Sequence, residues 1–146
     1  MDDHRSFKNE RRKQMPTQPK PEQIQELFTK APQGPLVMLN LLKFKEKAVY
    51  ADGRQTDISG AEAYGIYAEE MRKHIEADGG RIVFSALMNV LVIGEGDLEW
   101  DVVGIAEYAS LKSFQKILAS PAYQEIILHR DAGLDHQLLI NCLNPV

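Results

Sequence analysis

One cysteine, one tryptophan and the absence of any long apolar run set the first bounds on this chain. The single Cys142 excludes an internal disulfide and fits a reducing compartment, the cytoplasm. A helix that spans a bilayer needs about 20 mostly apolar residues, and no stretch approaches that length. The first residues are polar and carry no apolar core of the kind a secretory leader has. There is no glycine-rich phosphate loop and no Gly-x-Ser-x-Gly elbow. His74 and His136 have no partner at ligand spacing, so no His/Cys/Asp cluster argues for zinc or another metal. No short repeat of the solenoid kind is visible.

What is present fits one domain of 146 residues, long enough to bury a core. The hydrophobic share of 44% and the charged share of 26% are those of an ordinary globular protein. The net charge of −4 is unevenly placed. Arg5, Lys8, Arg11, Arg12, Lys13 and Lys20 outweigh Asp2, Asp3 and Glu10, and everything after Lys20 is net acidic. An acidic body excludes nucleic acid as the main partner. The basic start has no amphipathic stripe and reads as a solvated, flexible tail over residues 1–18, with the domain over 19–146. Met15-Pro16-Thr17, where patterned sequence begins, offers a second reading in which translation starts at Met15.

The pattern of elements is regular from there. Pro21 suits the first turn of a short helix, Glu22 to Lys30, with Ile24, Leu27 and Phe28 on one face. Leu36 to Phe44 reads as a strand buried on both sides. Ser59-Gly60-Ala61-Glu62 is a capping box that opens a helix carrying Ala61, Tyr64, Ala68, Met71 and Ile75 at helical spacing. Gly79-Gly80 stops it. Arg81 to Gly94 predicts a long strand with a bend near Met88-Asn89, and Trp100 to Tyr108 another strand. Ser110 and Ser120-Pro121 start two consecutive helices, the second running to about Ala132, and Leu138 to Leu143 closes as a strand.

After the leading helix, that order is the split βαβ, or ferredoxin-like, arrangement: an α+β fold with helices on one face of a four-stranded antiparallel sheet. Val37, Leu39 and Leu41 alternate with Leu36, Met38 and Leu42, so both sheet faces are apolar, whereas a one-sided sheet alternates with polar residues. The face without helices therefore needs a partner, and an identical subunit packed sheet on sheet about a two-fold axis supplies one.

Several segments together resemble the domain-of-unknown-function 1330 family (DUF1330), part of the dimeric α+β barrel superfamily. They are Val37-Met38-Leu39-Asn40-Leu41-Leu42-Lys43-Phe44, Tyr50-Ala51-Asp52-Gly53, Ser59-Gly60-Ala61-Glu62-Ala63-Tyr64, Gly79-Gly80-Arg81, Trp100-Asp101, Ser120-Pro121-Ala122-Tyr123 and His129-Arg130. The resemblance covers roughly Gly34 to Leu143. It implies the ferredoxin-like fold and a homodimer, and it carries no settled activity. The superfamily holds cofactor-free monooxygenases, lactone isomerases and haem proteins, so it does not select a chemistry.

The polar residues set into apolar pattern are the candidates for a site. Asn40 and Lys43 interrupt a buried strand, where an unpaired amide costs about 1–3 kcal/mol and an unpaired charge more. Three apart on a strand, they point to opposite faces, so Asn40 is the better cavity residue and Lys43 belongs nearer the strand end. Tyr64 and Tyr67 share a helix face and could aim hydroxyls into a pocket. Trp100 opens a strand beside Asp101. His129-Arg130 pairs a proton carrier with an anion binder late in a helix. Each also has a structural reading: a satisfied hydrogen bond, a snorkelling lysine, core packing, an interface tryptophan or a helix-end cation.

Three functions are open on this reading. The first is an enzyme without bound metal or cofactor, acting on a small organic acid, carbonyl or phenol between sheet and helices. His129 would move a proton there, with Arg130, Asn40 and Tyr64 stabilising charge and Lys43, Tyr67 and Trp100 binding the ligand. The second is a non-catalytic, dimeric ligand-binding or stress-related module with the same pocket. The third is a haem protein with His129 as axial ligand.

Overall fold

The computed structural model describes residues 17–143. Residues 1–16, which hold most of the expected 1–18 tail and Met15, lie outside the described residues. Eight elements follow: α1 (Pro21–Lys30), β1 (Leu36–Phe44), α2 (Gly60–Ala77), β2 (Arg81–Leu87), β3 (Val102–Tyr108), α3 (Leu111–Ala119), α4 (Pro121–Gly133) and β4 (Leu134–Cys142). The strands form one antiparallel sheet in the order β2-β3-β1-β4, which is the ferredoxin-like order with β1 and β3 at the centre. No helix among the described residues is long and apolar enough to cross a membrane.

The helices begin where their caps predict. Ser110 Oγ accepts from Ser113 N at 3.0 Å, and Ser120 Oγ accepts from Tyr123 N at 3.2 Å. Ser59 Oγ accepts from Glu62 N at 3.0 Å. A side-chain cap of this kind is worth about 0.5–2 kcal/mol. Only this half of the expected box forms among the described residues, and Ser59 also makes a one-residue antiparallel bridge with Lys47.

Three strand ends differ from expectation, the first being that of β3, which opens at Val102 and leaves Trp100 in the preceding loop. β2 stops at Leu87 rather than continuing to Gly94, and Met88 N turns to Asp101 O at 2.8 Å. The apolar residues that follow leave the sheet altogether, with Val92 and Ile93 84% and 91% exposed. Alternation alone cannot report that a strand has lost its neighbour. β4 begins four residues earlier than Leu138, because Leu134 and His136 pair with Phe44 and Lys43 across a bulge. The sequence Leu-Asp-His-Gln looks like a polar loop, yet Leu134 and His136 are buried.

Register divides the sheet into two faces. Leu36, Met38 and Leu42 of β1 are buried under the helices together with Ala106 and Tyr108 of β3. Tyr67, Met71 and Ile75 of α2, Ile117 of α3 and Tyr123 of α4 complete that core. The opposite face carries Leu39, Leu41, Val103, Ile105, Leu138 and Ile140 and, among the described residues, no helix. Phe84 and Ile140 on it are 53% and 45% exposed.

Two glycines fix how α2 and α4 cross. A Cβ built on Gly133 would lie 2.1 Å from Gly60 O and 2.8 Å from Tyr64 N, and one on Gly60 would lie 2.0 Å from Lys45 O. These are backbone atoms and cannot rotate away. Lys45 N also donates to Gly133 O at 2.8 Å, and Val49 N to Ala132 O at 2.9 Å, which ties the 45–58 loop to the end of α4. Helix propensity alone would favour alanine over glycine by up to about 1 kcal/mol. The crossing reverses that sign: Gly133→Ala is expected to destabilise the chain by about 1–3 kcal/mol or more in urea denaturation. Unchanged or raised stability would show that the helices can separate freely.

Candidate functional site

Asn40 has the parity of the buried β1 residues and so faces the helices, while Lys43 faces the other way. On the helix side, Asn40 is part of a chain of polar groups. Its Nδ2 donates to Gly104 O at 3.3 Å and Met38 O at 3.4 Å. Its Oδ1 accepts from Gln137 Nε2 of β4 at 2.7 Å. Gln137 Oε1 in turn accepts from Arg130 Nη2 at 2.9 Å. Arg130 is the last-turn cation of α4, buried with its side chain only 10% exposed. Its Nη1 donates to Asp131 Oδ1 at 2.9 Å, and Nη2 also reaches the carbonyl of Thr17.

Tyr64 and Tyr67 of α2 stand next to this chain, with their rings 5.3 Å apart. Tyr67 packs edge-on against Tyr123 at 6.3 Å, and Tyr64 packs on Phe44 at 5.2 Å. Burial pushes the Tyr64 phenol up to about 12, the nearby charge of Arg130 opposing the rise and Tyr123 adding to it. Burial likewise raises Tyr67 well above the usual phenol range, reinforced by Tyr123, Tyr64 and Tyr108. Tyr108 is raised for the same first reason, with Tyr123 and Tyr64 contributing. Four phenols from α2, β3 and α4 thus sit within one another's electrostatic reach, and burial keeps those of Tyr64, Tyr67 and Tyr108 protonated at ordinary pH. They can donate hydrogen bonds there but cannot serve as bases.

His129 belongs to a different place. Consecutive helical residues diverge by about 100°, so it cannot share Arg130's direction. Its Nδ1 is bonded to Tyr50 Oη at 2.8 Å, and the two rings meet edge-on at 5.5 Å. Arg54, itself paired with Asp52, lies over the Tyr50 ring at 4.6 Å. The surroundings are polar and partly exposed, unlike the apolar slot that a haem face requires.

Lys43 and Trp100 lie on the helix-free side. Lys43 Nζ pairs with Asp101 Oδ1 at 3.1 Å, and Asp101 Oδ2 accepts from Phe44 N at 2.9 Å. Trp100 packs edge-on against His136 at 5.1 Å. His136 is only 1% exposed. Its Nδ1 is bonded to Asp135 Oδ2 at 2.7 Å, and its Nε2, 3.6 Å from Glu99 Oε1, has no hydrogen-bond partner among the described residues. A cleft of about 560 Å3 opens at this end of the sheet, between Lys43, Lys45, Glu46, Asp101 and Asp135. Its lining mixes both signs of charge and includes none of Asn40, Tyr64 or Arg130. No group of three or more His, Cys, Asp or Glu among the described residues is placed to hold a metal ion.

The seven expected residues therefore fall into three places: Asn40, Tyr64, Tyr67 and Arg130 on the inner side, His129 with Tyr50, and Lys43 and Trp100 on the outer side. Gln137, Tyr108, Tyr123 and Thr17 complete the inner group and were not singled out from sequence. Tyr108 and Tyr123 read as ordinary core aromatics. Gln137 fell in an apparent loop, and Thr17 enters through its backbone, which has no sequence signature.

The chain belongs to the family described as a domain of unknown function, DUF1330, whose profile matches residues 49–141. It is similar to the crystal structure of methylated RPA0582 protein, with 35% identity over 90% of this chain and 96% of that one and a TM-score of 0.78. A second crystal structure, of the RPA0582 protein of unknown function from Rhodopseudomonas palustris, shares 33% identity over 88% of this chain and 97% of that one, with a TM-score of 0.76. An uncharacterised NIPSNAP domain protein from Burkholderia xenovorans shares the fold at 18% identity, covering 75% and 94% of the two chains with a TM-score of 0.50. No curated protein matches the chain.

Burial first, and the charge of Arg54 second, lower the affinity of His129 for a proton, with Asp52 opposing. The fold thus prefers the neutral imidazole. Stability linked to His129 is full above the unfolded value near 6.5 and declines as pH falls through it. A proton NMR titration is expected to place the His129 midpoint below the ordinary histidine value, and Arg54→Ala to raise it. A midpoint above that value would show that the imidazolium is the favoured form.

Proposed function

Taking the chain as a DUF1330 member, we propose that it binds a small organic acid, carbonyl or phenol between the sheet and the helices, with Arg130 as the anchor. The observation that carries this reading is a buried guanidinium joined through Gln137 to Asn40 and set beside neutral phenols. Taking a charge out of water costs several kcal/mol unless it is well paired, and packing alone does not call for one there. Convergent polar groups in an apolar surround mark a small-ligand site. Arg130 would take the ligand's negative or polarised oxygen, Tyr64 would donate a hydrogen bond, and Asn40 with Gln137 would fix the position of the guanidinium.

Binding with charge stabilisation is favoured over proton transfer by His129, because that imidazole is engaged by Tyr50 and makes no hydrogen bond to Asn40, Gln137 or Arg130. Should a reaction occur here, the neutral phenol of Tyr64 is the group to give a proton or hold a developing oxyanion. The test begins with mass spectrometry of small molecules that co-purify with the native protein, followed by calorimetric titration of the compound found. For an anionic ligand, Arg130→Gln is expected to weaken binding by about 2–5 kcal/mol while His129→Ala changes it little. The reverse pattern would move the site to Tyr50 and His129.

The same reading includes a homodimer through the helix-free sheet faces. Phe84, Leu138 and Ile140 stand exposed there, and the 87–93 stretch adds Leu87, Val90, Val92 and Ile93 at its edge. Monomers seldom leave such a continuous apolar surface in water. Sedimentation at micromolar concentration is expected to give a dimer. A stable monomer would contradict the assignment.

A further inference from the structure

We propose that Thr17–Lys20 and helix α1 form a displaceable cover on the Arg130 site, and that an aromatic carboxylate ligand takes the position held here by the Thr17 carbonyl. The inference rests on the ligand reading above and names both its chemical class and its gate.

Among the described residues the partners of Arg130 are all oxygens, and they are unevenly charged. Gln137 Oε1 and the Thr17 carbonyl are neutral. The one carboxylate on it among the described residues, that of Asp131, is 44% exposed and so is screened by water. A hydrogen bond from guanidinium to carboxylate is roughly twice as strong as one to a neutral acceptor and can be bidentate. A buried cation that holds a neutral carbonyl in place of an anion is therefore poised for exchange. The carbonyl comes from 113 residues away in sequence and belongs to the chain just before the first element.

That element is lightly held. α1 precedes the βαββαβ core and contains no fully buried residue. Leu27 and Ala31 rest on the core, while Ile24 and Phe28 on the same helix are 38% and 48% exposed. A segment with few buried apolar contacts opens at low cost compared with the central strands. Pro19 and Pro21 restrict the backbone between Thr17 and the helix, so the strap and α1 move together. Within reach of the Arg130 charge stands Tyr64, whose ring meets that of Tyr67, which in turn meets Tyr123. Such a lining suits an aromatic ring and donates to a phenolic oxygen. No bond is made or broken in this exchange; one acceptor replaces another on Arg130.

The test uses the full chain with 4-hydroxybenzoate, and with 4-hydroxybenzyl alcohol as the matched compound that lacks the carboxylate. Amide hydrogen exchange is read with and without each. Added 4-hydroxybenzoate is expected to speed exchange over residues 17–30 at least fivefold and leave β1 and β3 unchanged, while the alcohol changes exchange in none of these segments. Leu27→Ala, which loosens α1, is expected to raise affinity for 4-hydroxybenzoate at least fivefold, and Arg130→Gln to abolish binding. Binding that depends on Arg130 but leaves residues 17–30 equally or better protected would overturn the cover and leave the ligand reading standing. Failure of both wild type and Leu27→Ala to bind either compound would overturn the ligand class as well. The exchange measurement on wild type decides the matter even if Leu27→Ala does not fold.

Discussion

The contact between the backbones of Gly60 and Gly133 governs where everything else sits. It lets α2 and α4 approach until the peptide groups meet, with the loop after β1 wedged against both. Tyr64 lies one turn beyond Gly60 on α2, and Arg130 one turn before Gly133 on α4. The crossing therefore brings a phenol and a guanidinium from distant parts of the chain over the same stretch of sheet. Beneath them, the register of β1 with β4 places Asn40 and Gln137 on the inner face, where they complete the chain of hydrogen bonds. A side chain at either glycine would wedge the helices apart and dissolve this arrangement before any polar residue was touched.

Much of the architecture was legible in sequence because it rests on local signals. The serine caps at 59, 110 and 120, the proline at 121 and the glycine stop at 79–80 fixed the helices, and the two-sided apolar pattern of β1 announced a sheet with one face to spare. The opposition of Asn40 and Lys43 followed from strand parity alone. What could not be read depends on contacts between distant segments. The stretch from Asn89 to Gly94 has strand-like composition, yet no strand among the described residues pairs with it. Leu134 to Gln137 looks like a loop, yet it pairs with the end of β1 across a bulge. His129 and Arg130 are adjacent in sequence and serve different surroundings, because a helix turns each residue away from the last and only its neighbours decide which side is inside. Gln137, Tyr108 and Tyr123 became visible as site residues only when register and crossing were known.

The two faces of the sheet have different electrostatic characters. The inner side holds a cation among neutral phenols, a setting that stabilises negative charge on a guest. On the outer side, charges are confined to the ends, Arg81 with Glu107 at one and Lys43 with Asp101 at the other, with apolar residues between. Charges at the rim and hydrophobic residues at the centre are the layout of an association surface. One sheet thus carries on one side the groups proposed to hold a small molecule and on the other the surface proposed for self-association.

The central claim is that Arg130, rather than His129, receives the ligand. Nitrogen-15 NMR of the arginine and histidine side chains, followed during addition of 4-hydroxybenzoate, tests it most directly. The account predicts a shift of the Arg130 guanidinium resonance with saturation and no change in the His129 imidazole. A shift at His129 with Arg130 unmoved would contradict it.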